Sequence, residues 1–222
     1  MSPRPAQALL FDLDGTLVDS APDLAAAGNA VRAARGLPPL SASLYRPHTS
    51  AGARGMLKVA MGLGPDAAEY DALKDEFLRA YELGLAEHTG CFPAMAALID
   101  RLDAQQVPWG IVTNKVTRFT LPILAHLGLD RRAGAVVCGD TTPHAKPHPA
   151  PLLEAARRMG LAPERCVYVG DDLRDVQAGQ AAGMQTVAVR WGYLGDDLPV
   201  EAWGADAVVN DPLELLKWVG MP

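Results

Sequence analysis

A mostly apolar run over 6–11 breaks at Asp12-Leu13-Asp14-Gly15-Thr16. The run reads as a strand, which puts both aspartates at its carboxyl end, where open α/β sheets keep their active sites. Side chains two apart in a strand share a face, so Asp12 and Asp14 look into one site if the chain stays extended through both; Gly15 marks where it stops. Two crowded carboxylates repel at neutral pH, and a hard divalent cation is the usual remedy. Taken alone, the segment is equally an Asp-rich turn closing a strand.

The rest of the chain supplies a sheet for that strand. Short apolar runs, most of them rich in β-branched residues, recur at 8–11, 109–113, 135–138, 166–169, 186–189 and 207–209. Helical stretches at 94–106, 119–127, 149–159, 172–182 and 212–219 separate most of them. The alternation predicts an α/β fold, a Rossmann-like doubly wound parallel sheet covered on both faces. Residues 22–88 break it, having Ala-, Leu-, Glu- and Arg-rich periodicity and no convincing strand. Pro22 fits the first turn of a helix, Gly36-Leu37-Pro38-Pro39 ends it, and a second helix starts near Gly52. A third, over 67–85, carries Tyr70, Leu73, Phe77, Leu78, Tyr81 and Leu85 at helical spacing, a stripe that reads as core. The expectation is an inserted all-helical cap domain, 21–88, within a catalytic core formed by 1–20 and 89–222. Its two linkers then lie together beside Asp12 and Asp14, the arrangement of a lid.

Composition narrows the partners. The 222 residues carry a formal net charge of −6, with 49% apolar and 21% charged residues, so a soluble protein is expected, without the basic face that nucleic acid or an anionic membrane would need. No signal-peptide or spanning segment is evident near the start, which makes the cytoplasm the expected location. Cys91, Cys138 and Cys166 lack Cys-x-x-Cys spacing and read as free thiols. Either a monomer or a homodimer is compatible with this pattern.

Three further polar clusters fall where strands of one sheet should end. In Ile111-Val112-Thr113-Asn114-Lys115, a hydroxyl, an amide and the N–H groups at a helix start can grip phosphate oxygens, although Thr-Asn is also an ordinary cap. Ala145-Lys146-Pro147 offers an ammonium able to neutralise an aspartate and a phosphate together. Gly170-Asp171-Asp172-Leu173-Arg174-Asp175 crowds three acids at a strand end. Asp172 and Asp175 have first-turn helix spacing, and capping leaves one acid over for metal ligation. His144 and His148 flank Lys146 irregularly and read as solvated loop residues.

These four clusters, in this order and over essentially the whole chain, resemble the motifs of haloacid dehalogenase-like hydrolases. The resemblance implies a magnesium-dependent (Mg2+) phosphomonoesterase working through an aspartyl phosphate on a small-molecule phosphate ester. It implies that Asp12 is nucleophile and metal ligand, and that Asp14 binds the metal through its main-chain carbonyl and serves as general acid and base. Thr113 and the Asn114 N–H would hold the phosphoryl group, Lys146 would stabilise its charge, and Asp171 would be the third protein ligand. Asp172 and Asp175 would orient the others. An acid at Asp14 sets the chain apart from the dehalogenase members, whose halide leaving group needs no proton.

The rest of the substrate should be read by the cap, where Arg54, in Gly52-Ala53-Arg54-Gly55, is the candidate for a carboxylate, with His48 and Ser50 nearby. The overall pattern is similar to the phosphoglycolate phosphatase branch, whereas Gly52-Ala53-Arg54, 109–115, 170–175, Arg190-Trp191-Gly192-Tyr193 and 203–206 are locally similar to N-acetylmuramic acid 6-phosphate phosphatases. Both substrates carry a carboxylate, so Arg54 does not choose between them, and the sugar is preferred narrowly. A sugar phosphomutase of the same superfamily and a non-catalytic binding protein on this scaffold are the alternatives. A phospho-acceptor receiver domain is disfavoured by the Asp-x-Asp spacing.

Overall fold

In the computed structural model, which describes residues 6–195 and 198–221, the expected strands form one six-stranded sheet. Positions 1–5 and 222, which the expected core includes, and 196–197 lie outside the described residues. The sheet consists of β1 (Ala8–Phe11), β4 (Trp109–Val112), β5 (Ala135–Val137), β6 (Cys166–Gly170), β7 (Gln185–Val189) and β8 (Ala207–Val209), in the order β5-β4-β1-β6-β7-β8. Every neighbouring pair is parallel. The chain fills the β1, β4, β5 side first and then returns to β6, so the topological switch lies between β1 and β6. Asp12 and Asp171 follow these two strands.

Alternation along β1 explains the layers. Leu9 and Phe11 face a core closed by Leu98, Ile99 and Leu102 of α5 (Met95–Ala104) and by Leu215 and Leu216 of the 3-10 turn Pro212–Val219. Ala8 and Leu10 face the opposite core, closed by α7 (Ala150–Arg158) and α8 (Leu173–Ala181). Period-two burial on both faces is what a central strand of a doubly wound sheet requires.

The insertion is helical throughout: α1 (Ala21–Ala33), α2 (Ala42–Tyr45), a 3-10 turn Arg46–Ala51, α3 (Gly52–Met61) and α4 (Tyr70–Leu83). Pro22 does occupy the first turn of α1. The segment Ala42–Ala51, where sequence periodicity shows no helix, is two short pieces, with Pro47 preventing one continuous α-helix. These helices surround their own buried cluster of Leu24, Val31, Tyr45, Met56, Leu57, Leu73, Phe77 and Tyr81, which meets the sheet-bearing part through Phe119 of α6 (Thr117–His126).

The two linkers pair as a short antiparallel ladder, β2 (Val18–Asp19) with β3 (Gly90–Cys91). Asp23, buried near the start of α1, accepts hydrogen bonds from the N–H groups of His88 and Thr89 and from the Thr89 hydroxyl, fixing the return of the chain. Cys91, Cys138 and Cys166 are free thiols. Among the described residues, no helix is long and apolar enough to cross a membrane.

Candidate active site

The carboxyl ends of β1, β4 and β6 open into a cavity of about 670 Å³ between the sheet and the helical insertion. Asp12, Asp14, Thr113, Asn114, Lys146, Asp172 and Asp175 all line it. Asp12 is buried at the end of β1, its N–H bonded to the carbonyl of Val169. One of its oxygens, Oδ1, takes the N–H of Leu13 at 2.7 Å and the Lys146 ammonium at 2.9 Å. Oδ2 has no hydrogen bond among the described residues and is the oxygen left for chemistry.

Lys146 is held from both ends. Its ammonium contacts Asp12, Asp175 Oδ1 at 2.7 Å and the Tyr168 hydroxyl at 2.8 Å. Its main chain is clamped by the Asn114 side chain, whose Nδ2 donates to the Lys146 carbonyl and whose Oδ1 accepts from the Lys146 N–H. Asn114 thus positions the lysine through its amide group, a contact across 32 residues that local sequence cannot show. Tyr168 stays a neutral phenol because burial, and then the Asp175 charge, push its ionisation far up.

Asp12, Asp171 and Asp175 bring one carboxylate oxygen each within 4.8 Å of one another, all buried. Asp171 accepts from the Thr16 hydroxyl at 2.9 Å and from the Tyr193 N–H at 2.8 Å. Burial, then the charges of Asp12 and Asp175, hold its carboxyl well above the usual range. Burial likewise pushes Asp12 up to about 7, with Lys146 pulling against it and Asp175 adding to the rise. Lys146 moves up to about 12 because Asp12 and Asp175 outweigh its own burial. Three buried acids facing one ammonium leave negative charge uncompensated, and an all-oxygen donor set of that kind fits a hard dication. The cluster needs close backbone approach. Gly15, at φ +87°, and Gly170 leave no room for a Cβ, which would overlap the carboxylates of Asp171 and Asp175 respectively.

Asp175 also belongs to the capping box of α8, where Asp172 takes the N–H of Arg174 and Asp175 takes the N–H of Asp172. Capping and metal-cluster geometry therefore coincide in one residue. The Asp14 side chain lies outside the cluster: it accepts from the Ser20 hydroxyl and pairs with Lys115 at 2.9 Å. The Asp14 carboxylate is thus not one of the three clustered acids. The Thr113 hydroxyl accepts from the Lys115 N–H.

Four participants were not singled out from sequence. Lys115 pairs with Asp14 and places its ammonium 4.9 Å from the centroid of the Tyr81 ring. Its ammonium is held charged: burial disfavours this, and Asp14 reverses it. Arg174 forks onto Asp172 and donates to the Ser50 carbonyl at 2.8 Å, a direct tie between sheet and insertion. Tyr193 accepts the N–H groups of Ser20 and Ala21 on its hydroxyl while its own N–H holds Asp171. Tyr81, read as core, also lines the cavity together with Phe77 and Leu78.

Arg54 is not brought to the cavity. Helix α3 buries Met56, Leu57 and Ala60, which turns Arg54 and Lys58, one turn apart, to solvent. His48 is half-buried, and Ser50 reaches the cavity wall. His144 and His148 are exposed, with ring centroids 4.3 Å apart.

Known proteins share this layout. The haloacid dehalogenase-like hydrolase family matches residues 6–183, from β1 through the acidic turn after β6 and helix α8. The chain belongs to the haloacid dehalogenase-like hydrolases. As a member it is an enzyme, a phosphatase like its curated relatives. It is 44% identical to an N-acetylmuramic acid 6-phosphate phosphatase of Pseudomonas putida over 95% of both chains. It is 47% identical to a phosphoglycolate phosphatase of Xanthomonas campestris pv. campestris over 97% of both. Its fold superimposes on the crystal structure of a phosphoglycolate phosphatase predicted in Haemophilus somnus, with TM-score 0.83, 30% identity and coverage of 96% and 97%.

Proposed function

We propose that this haloacid dehalogenase-like hydrolase is a magnesium-dependent phosphomonoesterase that forms an aspartyl phosphate on Asp12. The observation carrying this reading is Asp12 itself: one oxygen pinned by Leu13 and Lys146, the other unbonded, at a buried strand end facing the cavity. Oδ2 attacks phosphorus and the ester oxygen departs with a proton from Asp14. Water then attacks the aspartyl phosphate, giving its proton to Asp14 and releasing phosphate with the Asp12 carboxylate restored. To do this Asp14 exchanges its contact with Lys115 for the ester oxygen. Thr113 and the Asn114 N–H grip the phosphoryl oxygens, and Lys146 balances their charge. Asp12, Asp171 and the Asp14 carbonyl would hold Mg2+, with Asp175 beside them; the ion supplies charge neutralisation at the phosphoryl group.

Residues 21–88 are proposed as a cap over a core of 1–20 and 89–222, hinged at β2 and β3. The substrate is a phosphate ester whose alcohol carries a carboxylate, as the relatives' two substrates do. A cavity of about 670 Å³ with Phe77, Leu78, Tyr81 and Phe119 on its wall favours the muramyl sugar over the two-carbon glycolate. Three free thiols suit a reducing compartment, and we place the reaction in the cytoplasm. Phosphate release with Mg2+, compared for N-acetylmuramic acid 6-phosphate and 2-phosphoglycolate at matched low concentration, tests the reading. A large preference for the sugar is expected; release from neither overturns the carboxylated substrate, and release from neither of them nor from p-nitrophenyl phosphate overturns the phosphomonoesterase.

A further inference from the structure

Five cations line the cavity: Lys74, Lys115, Arg118, Lys146 and Arg174. Three are committed, Lys115 to Asp14, Lys146 to Asp12 and Asp175, and Arg174 to Asp172. Among the described residues, Lys74 and Arg118 make no ion pair. They approach from opposite sides, Lys74 from α4 of the insertion and Arg118 from the first turn of α6 on the sheet side. Arg118 shares a side recess with Leu78, which stands one turn along α4 from Lys74 and on the same face.

Arg118, though exposed, rests on an aromatic ring and not on an ion pair. Its guanidinium carbon sits 4.4 Å from the centroid of Phe119, whose ring meets Tyr81 edge-on at 5.3 Å. A guanidinium stacked on a ring keeps its planar fork free for a carboxylate. The neighbouring acids do not compete. Asp140 spends its Oδ1 on the N–H and hydroxyl of Thr117, and Asp75 and Glu82, which share the side recess, form no ion pair with Arg118.

We propose that Arg118 and Lys74 together seat the carboxylate of the leaving alcohol, the role that sequence assigned to Arg54. This deepens the phosphomonoesterase reading above and rests on it. The chemical class is a phosphate monoester of a hydroxy acid or acidic sugar. Its phosphate lies at Asp12 and Lys146, its apolar body against Phe77, Tyr81 and Phe119, and its carboxylate between the two free cations. Because one cation belongs to each side of the cavity, a bound carboxylate also draws the insertion toward the sheet.

The test uses pairs with and without the carboxylate-bearing group: N-acetylmuramic acid 6-phosphate against N-acetylglucosamine 6-phosphate, which lacks the lactyl ether, and 2-phosphoglycolate against 2-hydroxyethyl phosphate, in which a hydroxymethyl replaces the carboxylate. The pair that wild type turns over identifies the carboxylate's source. For that pair, Arg118→Gln should lower the ratio of kcat/KM, carboxylated over carboxylate-free, about tenfold, mainly through KM. Lys74→Gln should do so less strongly, and Arg118→Lys, which keeps the charge, should recover part of the ratio. An unchanged ratio in Arg118→Gln, or equal losses on both members, overturns the assignment. If wild type cleaves p-nitrophenyl phosphate with Mg2+ but neither pair, the carboxylate seat is wrong while the phosphatase reading stands. If p-nitrophenyl phosphate is inert as well, the phosphatase reading fails and takes the seat with it.

Discussion

The two walls of the cavity are built on opposite principles. On the sheet side nearly every polar atom is already spoken for: Lys146 spends its ammonium on Asp12, Asp175 and Tyr168, and both oxygens of Asp171 are held. On the insertion side the lining is Phe77, Leu78 and Tyr81, the unpaired Lys74 and a main-chain carbonyl held by Arg174. Groups that must act on developing charge gain from being oriented in advance. Groups that select a leaving alcohol need only offer shape and an unspent charge. The contrast teaches that substitution of the committed groups on the first wall should cost turnover, whereas substitution on the second wall, or of the unpaired Arg118 at the edge of the first, should cost selectivity.

The severest break is at Asp12. Asp12→Asn should abolish turnover, by about 10⁴-fold or more, with circular dichroism unchanged; substantial residual activity would overturn the nucleophile assignment. Removing the metal should be nearly as severe and reversible: a chelator silences phosphate release and added Mg2+ restores it. The same experiment read as stability has a pH signature. Burial raises Asp12 from 3.8 to about 7 in the folded, metal-free protein, so stability present below the unfolded value is lost as pH climbs through that window. Mg2+ should therefore raise Tm more at pH 8 than at pH 5, and an equal shift at both would mean the acidic cluster is not where the ion binds.

Asp14→Asn sharpens the contrast within the sheet side. Alkyl phosphates should lose about 10²- to 10⁴-fold, the range for a general acid, while p-nitrophenyl phosphate, whose leaving group needs no proton, should lose much less in the burst that reports aspartyl-phosphate formation. Equal burst losses would make Asp14 structural. Its partners Ser20 and Lys115 were not readable as such, because nothing in 12–20 or 113–115 shows that two distant strand ends converge on one carboxylate.

How far the sequence reached follows the same divide. Short apolar runs declared the six strands to within a residue or so, because the central strands β1, β4 and β6 are buried along their whole length and the outer ones along part of it. Three of the polar clusters were visible because they close those runs, whereas Lys146 stands in the loop between β5 and α7. The two-residue strands β2 and β3 are too short for any periodicity, and nothing around Tyr193 shows that it ties Asp171 to the start of α1. The Tyr193 hydroxyl meets Ser20 and Ala21 across 173 and 172 positions, a link that exists only after the sheet has formed. Arg54 lies away from the cavity wall in this structure for a related reason. A glycine-rich helix start beside a guanidinium looks like an anion site, but burial of Met56, Leu57 and Ala60 decides which way α3 faces.

The smallest effect is expected at Tyr81, where the two walls meet. Its hydroxyl is buried with no partner at hydrogen-bonding geometry, although the Lys115 ammonium stands close enough for each to shift the other's ionisation. A buried hydroxyl left unpaired costs free energy, and removing it leaves the ring's packing against Phe77 and Phe119 in place. Tyr81→Phe should therefore be neutral or stabilising by about 1 kcal/mol in denaturant unfolding, where an ordinary buried tyrosine would lose stability. If the variant is instead destabilised, the hydroxyl has a partner in solution. Lys115 is the candidate, and the link from Asp14 through Lys115 would then run into the insertion, making the two walls one unit.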